Sequence, residues 1–205
     1  MFDAVHLFFR WLHVIAGITW IGHLYFFNFV NIPLQGSLDD AGKKAVNPQL
    51  MPRALFWFRW GAMITFLAGL VLFTLNYMYA PGVGFGPTAL WGEGGMSPRA
   101  WWILMGMAAG TVMWFNVWFV IWPAQKKILG GKVTGDELAA TRKTAVGASR
   151  VNTFLSGPML LGMLGAPHAG NAAGLLPLIG FVALAMFAVK FAYSLSTTDL
   201  PKSIE

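Results

Sequence analysis

Four stretches of this 205-residue chain, about 5–31, 57–80, 100–123 and 173–196, are long, apolar and almost free of charge. A helix needs roughly 20 such residues to cross a hydrocarbon layer of about 30 Å. The chain is 57% hydrophobic and only 11% charged, with a mean hydropathy of +0.60, so it cannot wrap a soluble core in enough polar surface. Its solvent is lipid, and the residues predict a single all-α integral membrane domain over 1–205. A fifth apolar stretch, 152–167, is short and contains Pro158. It is either a kinked crossing or a re-entrant segment, so the expectation is a bundle of five transmembrane helices, or four without it.

Charge favours five. If all five segments cross, the connections 32–56 and 124–150 and the C-terminal tail share one side. That side then collects Lys43, Lys44, Arg53, Lys126, Lys127, Lys132, Arg142, Lys143, Arg150 and Lys202, with Arg59 and Lys190 within snorkelling reach. The other side holds Arg99 and the nearby Arg10. The positive-inside rule then puts the N-terminus outside and the C-terminus in the cytoplasm. The first helix lacks a basic leader and a small-residue cleavage site, so it is expected to be a crossing and not a removed signal. Residues 32–52 and 81–99 are rich in Gly and Pro and read as solvated connections. A short cytoplasmic helix is expected over 133–147, started by Thr134 or Asp136. No internal repeat is visible.

Composition also bounds the chemistry. There is no cysteine, which excludes disulfides, thiolate metal sites, iron–sulfur clusters and covalently attached c-type haem. The net charge of +6 sits in loops beside apolar spans, where its simplest partner is the headgroup layer of the lipid bilayer and not nucleic acid. No Asp or Glu falls within the apolar spans from 57 onward, which argues against a pump or an ion-coupled transporter built on a membrane carboxylate.

Histidines remain as the informative polar residues. Three of the four, His6, His13 and His23, are on the first helix. His6 and His13 share a face about 10 Å apart along the axis, while His23 is about 15 Å further on and some 80° round. The fourth, His168, closes the 152–167 segment on the same side of the membrane as His6. Imidazole is a good axial ligand for haem iron, and a haem b needs only one or two ligands and an apolar slot. His13 and His168 are the candidate iron ligands, and His6, His23 and Arg10 are candidate cofactor contacts. Arg10 either pairs with a haem propionate or reaches the outer headgroups. Met105, Met107, Met113, Met159 and Met163 are candidate slot residues, although methionine at helical spacing is usually core filling.

The run RWLHVIAGITWIG at 10–22 resembles the opening of the membrane domain of bacterial urate oxidases that carry a cytochrome c domain. MPRALFWFRWGAM at 51–63, FNVWFVIWPAQKK at 115–127 and SRVNTFLSGPMLLGMLGAPH at 149–168 continue the resemblance in order. It implies an oxidoreductase of the bacterial inner (cytoplasmic) membrane, acting on urate and passing electrons to cytochrome c, with His13 and His168 conforming to the family pattern. The chain departs from that pattern at Ala54, Phe56 and Val151, where the family has histidines, and at Gly61, where it is acidic. No cytochrome c motif lies within these residues, so electrons are expected to pass through a separate carrier, a cytochrome c or a quinone. The Leu12–His13 pair is also similar, over that helix alone, to membrane haem proteins that oxidise protoporphyrinogen. The departures favour a second expectation, a non-catalytic accessory subunit of a larger respiratory or photosynthetic membrane complex. A transporter is a third class, supported only if Gly157 and Pro158 break their helix around water.

Overall fold

The computed structural model describes residues 2–87, 89–92, 94–169 and 175–198. Helix α1 (Phe2–Tyr25) runs through a π-helical turn at Phe26–Asn31 into α2 (Ile32–Ser37), making one 36-residue apolar column. Two residues later α3 (Asp40–Phe73) returns, started by the Asp39 carboxylate, which accepts the Gly42 N–H at 2.7 Å. A second π turn, Thr74–Met78, ends that column. Two antiparallel two-residue hairpins follow, β1 (Tyr79–Ala80) with β2 (Gly84–Phe85) and β3 (Trp91–Gly92) with β4 (Gly95–Met96). Helix α4 (Pro98–Phe115), capped by Ser97, passes through a third π turn at Asn116–Ile121 into α5 (Trp122–Leu129). Helices α6 (Gly135–His168) and α7 (Leu175–Thr198) follow.

The element order repeats. In each half a long apolar helix meets a π turn, continues as a short helix with proline near its start (Pro33, Pro123), and is followed by a 34-residue helix. The repetition lies in the architecture and not in an obvious residue pattern. Within each half the helices meet at glycine. A Cβ on Gly61 would sit 3.1 Å from the Trp20 nitrogen of α1, and one on Gly162 would sit 2.7 Å from the Gly106 Cα of α4. Lipid offers apolar side chains as good a home as a neighbouring helix does, so close backbone approach is what holds such helices together. Gly157 does the same between α6 and α7, facing the Ala185 carbonyl.

Among the described residues four helical columns are long and apolar enough to cross a membrane: Phe2–Ser37, Asp40–Met78, Pro98–Leu129 and Leu176–Ser196. Their outward faces expose Leu7, Ile18, Leu176, Leu184 and Phe187, as a multi-pass membrane protein does where lipid is the solvent. The fifth, α6, corrects the sequence expectation. The short segment at 152–167 and the separate helix at 133–147 are one continuous helix. Pro158 removes a single backbone hydrogen bond without breaking it. Its hydropathy is diluted by polar residues that face inward. Ser149, Asn152, Thr153 and Ser156 are all buried, and Asn152 donates to the Met113 carbonyl at 2.9 Å and accepts from Asn116 at 2.8 Å. Asn28 donates to Ser149 at 2.8 Å. Ser156 gives its proton to the Thr153 carbonyl, so the Tyr25 hydroxyl is the donor in their 2.8 Å contact.

The connection expected over 32–52 is also largely helical. It carries α2 and the first turns of α3, which contains Pro48 and Pro52. A 34-residue helix is about 51 Å long, some 20 Å more than the hydrocarbon layer. The amino-terminal parts of α3 and α6 therefore stand clear of the apolar band at one end of the bundle, with Lys43, Lys44, Arg142 and Lys143 on them. The core between the halves is built from Trp20, Leu24, Phe27, Leu55, Phe58, Met113, Val117, Ile121 and Met159.

Candidate functional site

At the opposite end, where α1 begins and α6 ends, α1, α3, α4 and α6 leave a cavity of about 410 Å³ between them. Most of its wall is apolar, with Val14, Phe66, Phe73, Ile103 and Leu164. Its polar lining is small: Arg10 and His13 from α1, Thr65 from α3, Asn76 and Tyr77 from the π turn after it, Arg99 and Thr111 from α4, and His168 from the end of α6. An apolar cavity with a few convergent polar groups is the usual form of a small-molecule or cofactor site.

His13 is the most constrained of these. Its Nδ1 lies 2.8 Å from the Thr65 carbonyl oxygen. A carbonyl only accepts, so Nδ1 carries the proton, and in the neutral ring Nε2 is the nitrogen with the lone pair. The ring fits against α3 because residue 69 is glycine, since a Cβ there would come within 3.0 Å of His13 Cε1. An imidazole held by a backbone carbonyl through one nitrogen and free at the other is the arrangement found around ligating histidines.

Arg99 is held from two sides. Its Nε donates to the Ala166 carbonyl at 3.2 Å, and its guanidinium is 5.9 Å from the Tyr77 ring centre. Arg10, an exposed residue, lines the same cavity, so two arginines border one apolar space. Met107, Met159 and Met163 line it too. Met113 is instead fully buried in the core, and Met105 packs beside Trp102.

The four histidines fall into different places. His13 and His168 line the cavity. His6 stands one residue behind it: its Nε2 donates to the Asn76 Oδ1 at 2.9 Å, the amide being oriented by its own 2.7 Å bond to the Leu72 carbonyl. His23 is not in the cavity wall, and its Nδ1 donates to the Thr19 carbonyl of its own helix at 2.7 Å. Sequence reasoning named Arg10, His13 and His168 but not Asn76, Tyr77, Thr65 or Gly69 as site residues, and it treated Arg99 only as a stray outer charge. The Asn76–Tyr77 pair at an apolar helix end was the one available signal. Among the described residues no group of three His, Cys, Asp or Glu side chains is placed to hold a metal ion by itself.

A family model described as urate oxidase N-terminal matches residues 35–85 and 88–197. The chain belongs to the urate oxidase N-terminal family. The match includes Thr65, Gly69, Asn76, Arg99 and His168, whereas Arg10 and His13 precede it on α1. Comparison with curated proteins and with solved structures gives no match. In this member of the family, the positions that depart from the expected pattern lie outside the cavity wall. Phe56 and Val151 are exposed, Ala54 is in the core, and Gly61 is the contact with α1. An acidic side chain at 61 would collide with the Trp20 backbone in this packing.

Proposed function

We propose that this urate oxidase N-terminal family member is a membrane redox protein that holds haem b in the cavity and passes electrons to a cytochrome c or a quinone. The observation that carries the reading is the His13–Thr65 hydrogen bond, which fixes the tautomer of an imidazole lining a mostly apolar cavity, so that Nε2 keeps its lone pair. His13 would be the first iron ligand. His168 would be the second, with Met159 and Met163 as the sulfur alternatives on the same helix. Arg10 and Arg99 supply two cations for the two propionates of a haem. Bound there, the haem would supply one-electron chemistry. The protein's share would be to fix the ligand ring, neutralise the carboxylates and keep water from the macrocycle.

On this reading, with five crossings and the positive-inside rule applied to the basic end, the cavity would open toward the outer face of a bacterial cytoplasmic membrane. An outer cytochrome c or a membrane quinone can then reach it. Oxidation of urate or a similar small reductant is the activity the family membership suggests. The test is haem analysis of the full chain purified in mild detergent. About one b-type haem per chain is expected, and absence of haem would refute the reading.

A second reading, an accessory subunit of a larger respiratory or photosynthetic complex that keeps the fold without the reaction, rests on the departures from the family pattern at 54, 56, 61 and 151, none of which lines this cavity. It predicts haem-free protein that co-purifies with other membrane subunits.

A further inference from the structure

A second cationic site lies about 9 Å along α3 from Thr65, toward the basic end, and shares none of its residues with the cavity. The guanidinium carbon of Arg59 is 3.9 Å from the ring centre of Trp122, 5.8 Å from that of Trp60 and 5.9 Å from that of Trp118. Arg59 Nε is sealed among these rings with no hydrogen-bond partner. Its Nη groups make no hydrogen bond among the described residues either, yet are not sealed in the same way. Lys126, one turn beyond Trp122, places its Nζ 5.6 Å from the same ring.

Two features make this more than a snorkelling arginine. The guanidinium is fixed against indole faces and not extended into water, so its fork is already oriented. No carboxylate balances it, because none of the described acidic residues forms an ion pair with Arg59. A charge at the edge of the apolar band with no protein anion calls for one from outside. Tryptophan belongs at headgroup level, and the acceptor available at that level is a phosphate oxygen, which suits guanidinium donors.

We propose that Arg59, Lys126 and Trp122 form a binding site for a phosphate oxyanion, that of an anionic phospholipid headgroup in the leaflet facing the basic end. Arg59 bonds the phosphate through its Nη groups, Lys126 adds the second positive charge, and the indoles of Trp118 and Trp122 pack against the glycerol and upper acyl chain.

The experiment is thermal unfolding of the full chain in a neutral detergent with phosphatidylglycerol, phosphatidylcholine or inorganic phosphate added at equal concentration and ionic strength. Phosphatidylglycerol should raise the midpoint by about 5 °C, and phosphatidylcholine, whose choline neutralises its phosphate, by far less. Inorganic phosphate should have little effect, and an equal rise with it would overturn the lipid assignment in favour of a free anion. Arg59→Gln should lose most of the rise. Lys126→Gln, which changes only an exposed side chain, should lose part of it, while Lys143→Gln on α6 keeps it whole. An undiminished rise in both Arg59→Gln and Lys126→Gln, or an equal loss in Lys143→Gln, would overturn the site.

Discussion

The Nδ1 of His13 and the carbonyl oxygen of Thr65 are 2.8 Å apart, joining α1 to α3 across the floor of the cavity. The bond is made to the backbone, so no substitution of the Thr65 side chain removes it directly. It depends on how closely the two helices approach, which glycine decides at Gly61 and Gly69.

Gly69→Ala tests that dependence. The new methyl would lie 3.0 Å from His13 Cε1 and 3.3 Å from Nδ1, so the ring or the helix must give by a few tenths of an ångström, which strains the bond to Thr65. Haem content per chain is expected to fall severalfold, with a stability loss of only about 1 kcal/mol. Pyridine haemochrome analysis alongside thermal unfolding separates the two effects, and full haem content in Gly69→Ala would show that the ring position is unimportant.

Gly162→Leu addresses the other half. A Cβ at 162 already comes within 2.7 Å of both Gly106 Cα and the Trp102 carbonyl, so leucine must separate α4 from α6. A loss of about 1–3 kcal/mol, or failure to fold, is expected. Gly180→Leu on α7, where the added Cβ meets nothing within 4 Å, should be nearly neutral. Unfolding titrations in mixed micelles compare them.

Asn152→Leu should cost about 1–3 kcal/mol, because it leaves the Asn116 side-chain amide without its partner and takes one of two donors from the Met113 carbonyl, which keeps the Asn116 backbone N–H. The double variant Asn116→Leu/Asn152→Leu should cost less than the sum of the singles, since it removes both ends of one bond. Strict additivity would mean that the two amides do not interact.

Asn76→Leu is expected to free His6, whose Nε2–H bonds the Asn76 carbonyl oxygen, and to place an apolar group in the cavity wall. The expected stability change is about 1 kcal/mol. His6→Gln should lower haem content much less than loss of His13 does, because His6 does not line the cavity. Haem assays of the two variants side by side check the ranking.

The apolar columns were legible because composition alone reports lipid as solvent, and Phe2–Ser37 and Pro98–Leu129 need little else. Helix α6 was not, since Ser149, Asn152 and Ser156 make it look like a weak span when they are polar residues turned inward. That Arg10, His13 and His168 come to one end followed from helical rise and alternating direction. The roles of Arg99, Asn76 and Tyr77 depend on how α4 and the π turn after α3 pack against the end of α6, and no local pattern encodes that. The cage around Arg59 was hidden for the same reason: Trp122 is 63 residues away in the chain.

The most direct test of the central claim is the reduced-minus-oxidised absorption spectrum of His13→Ala beside that of the unaltered full chain, with and without added imidazole. A b-type spectrum is expected in the unaltered protein, with its loss in His13→Ala and partial return when imidazole fills the vacated space. A His13→Ala protein with the full b-type spectrum, or an unaltered protein with none, would contradict it.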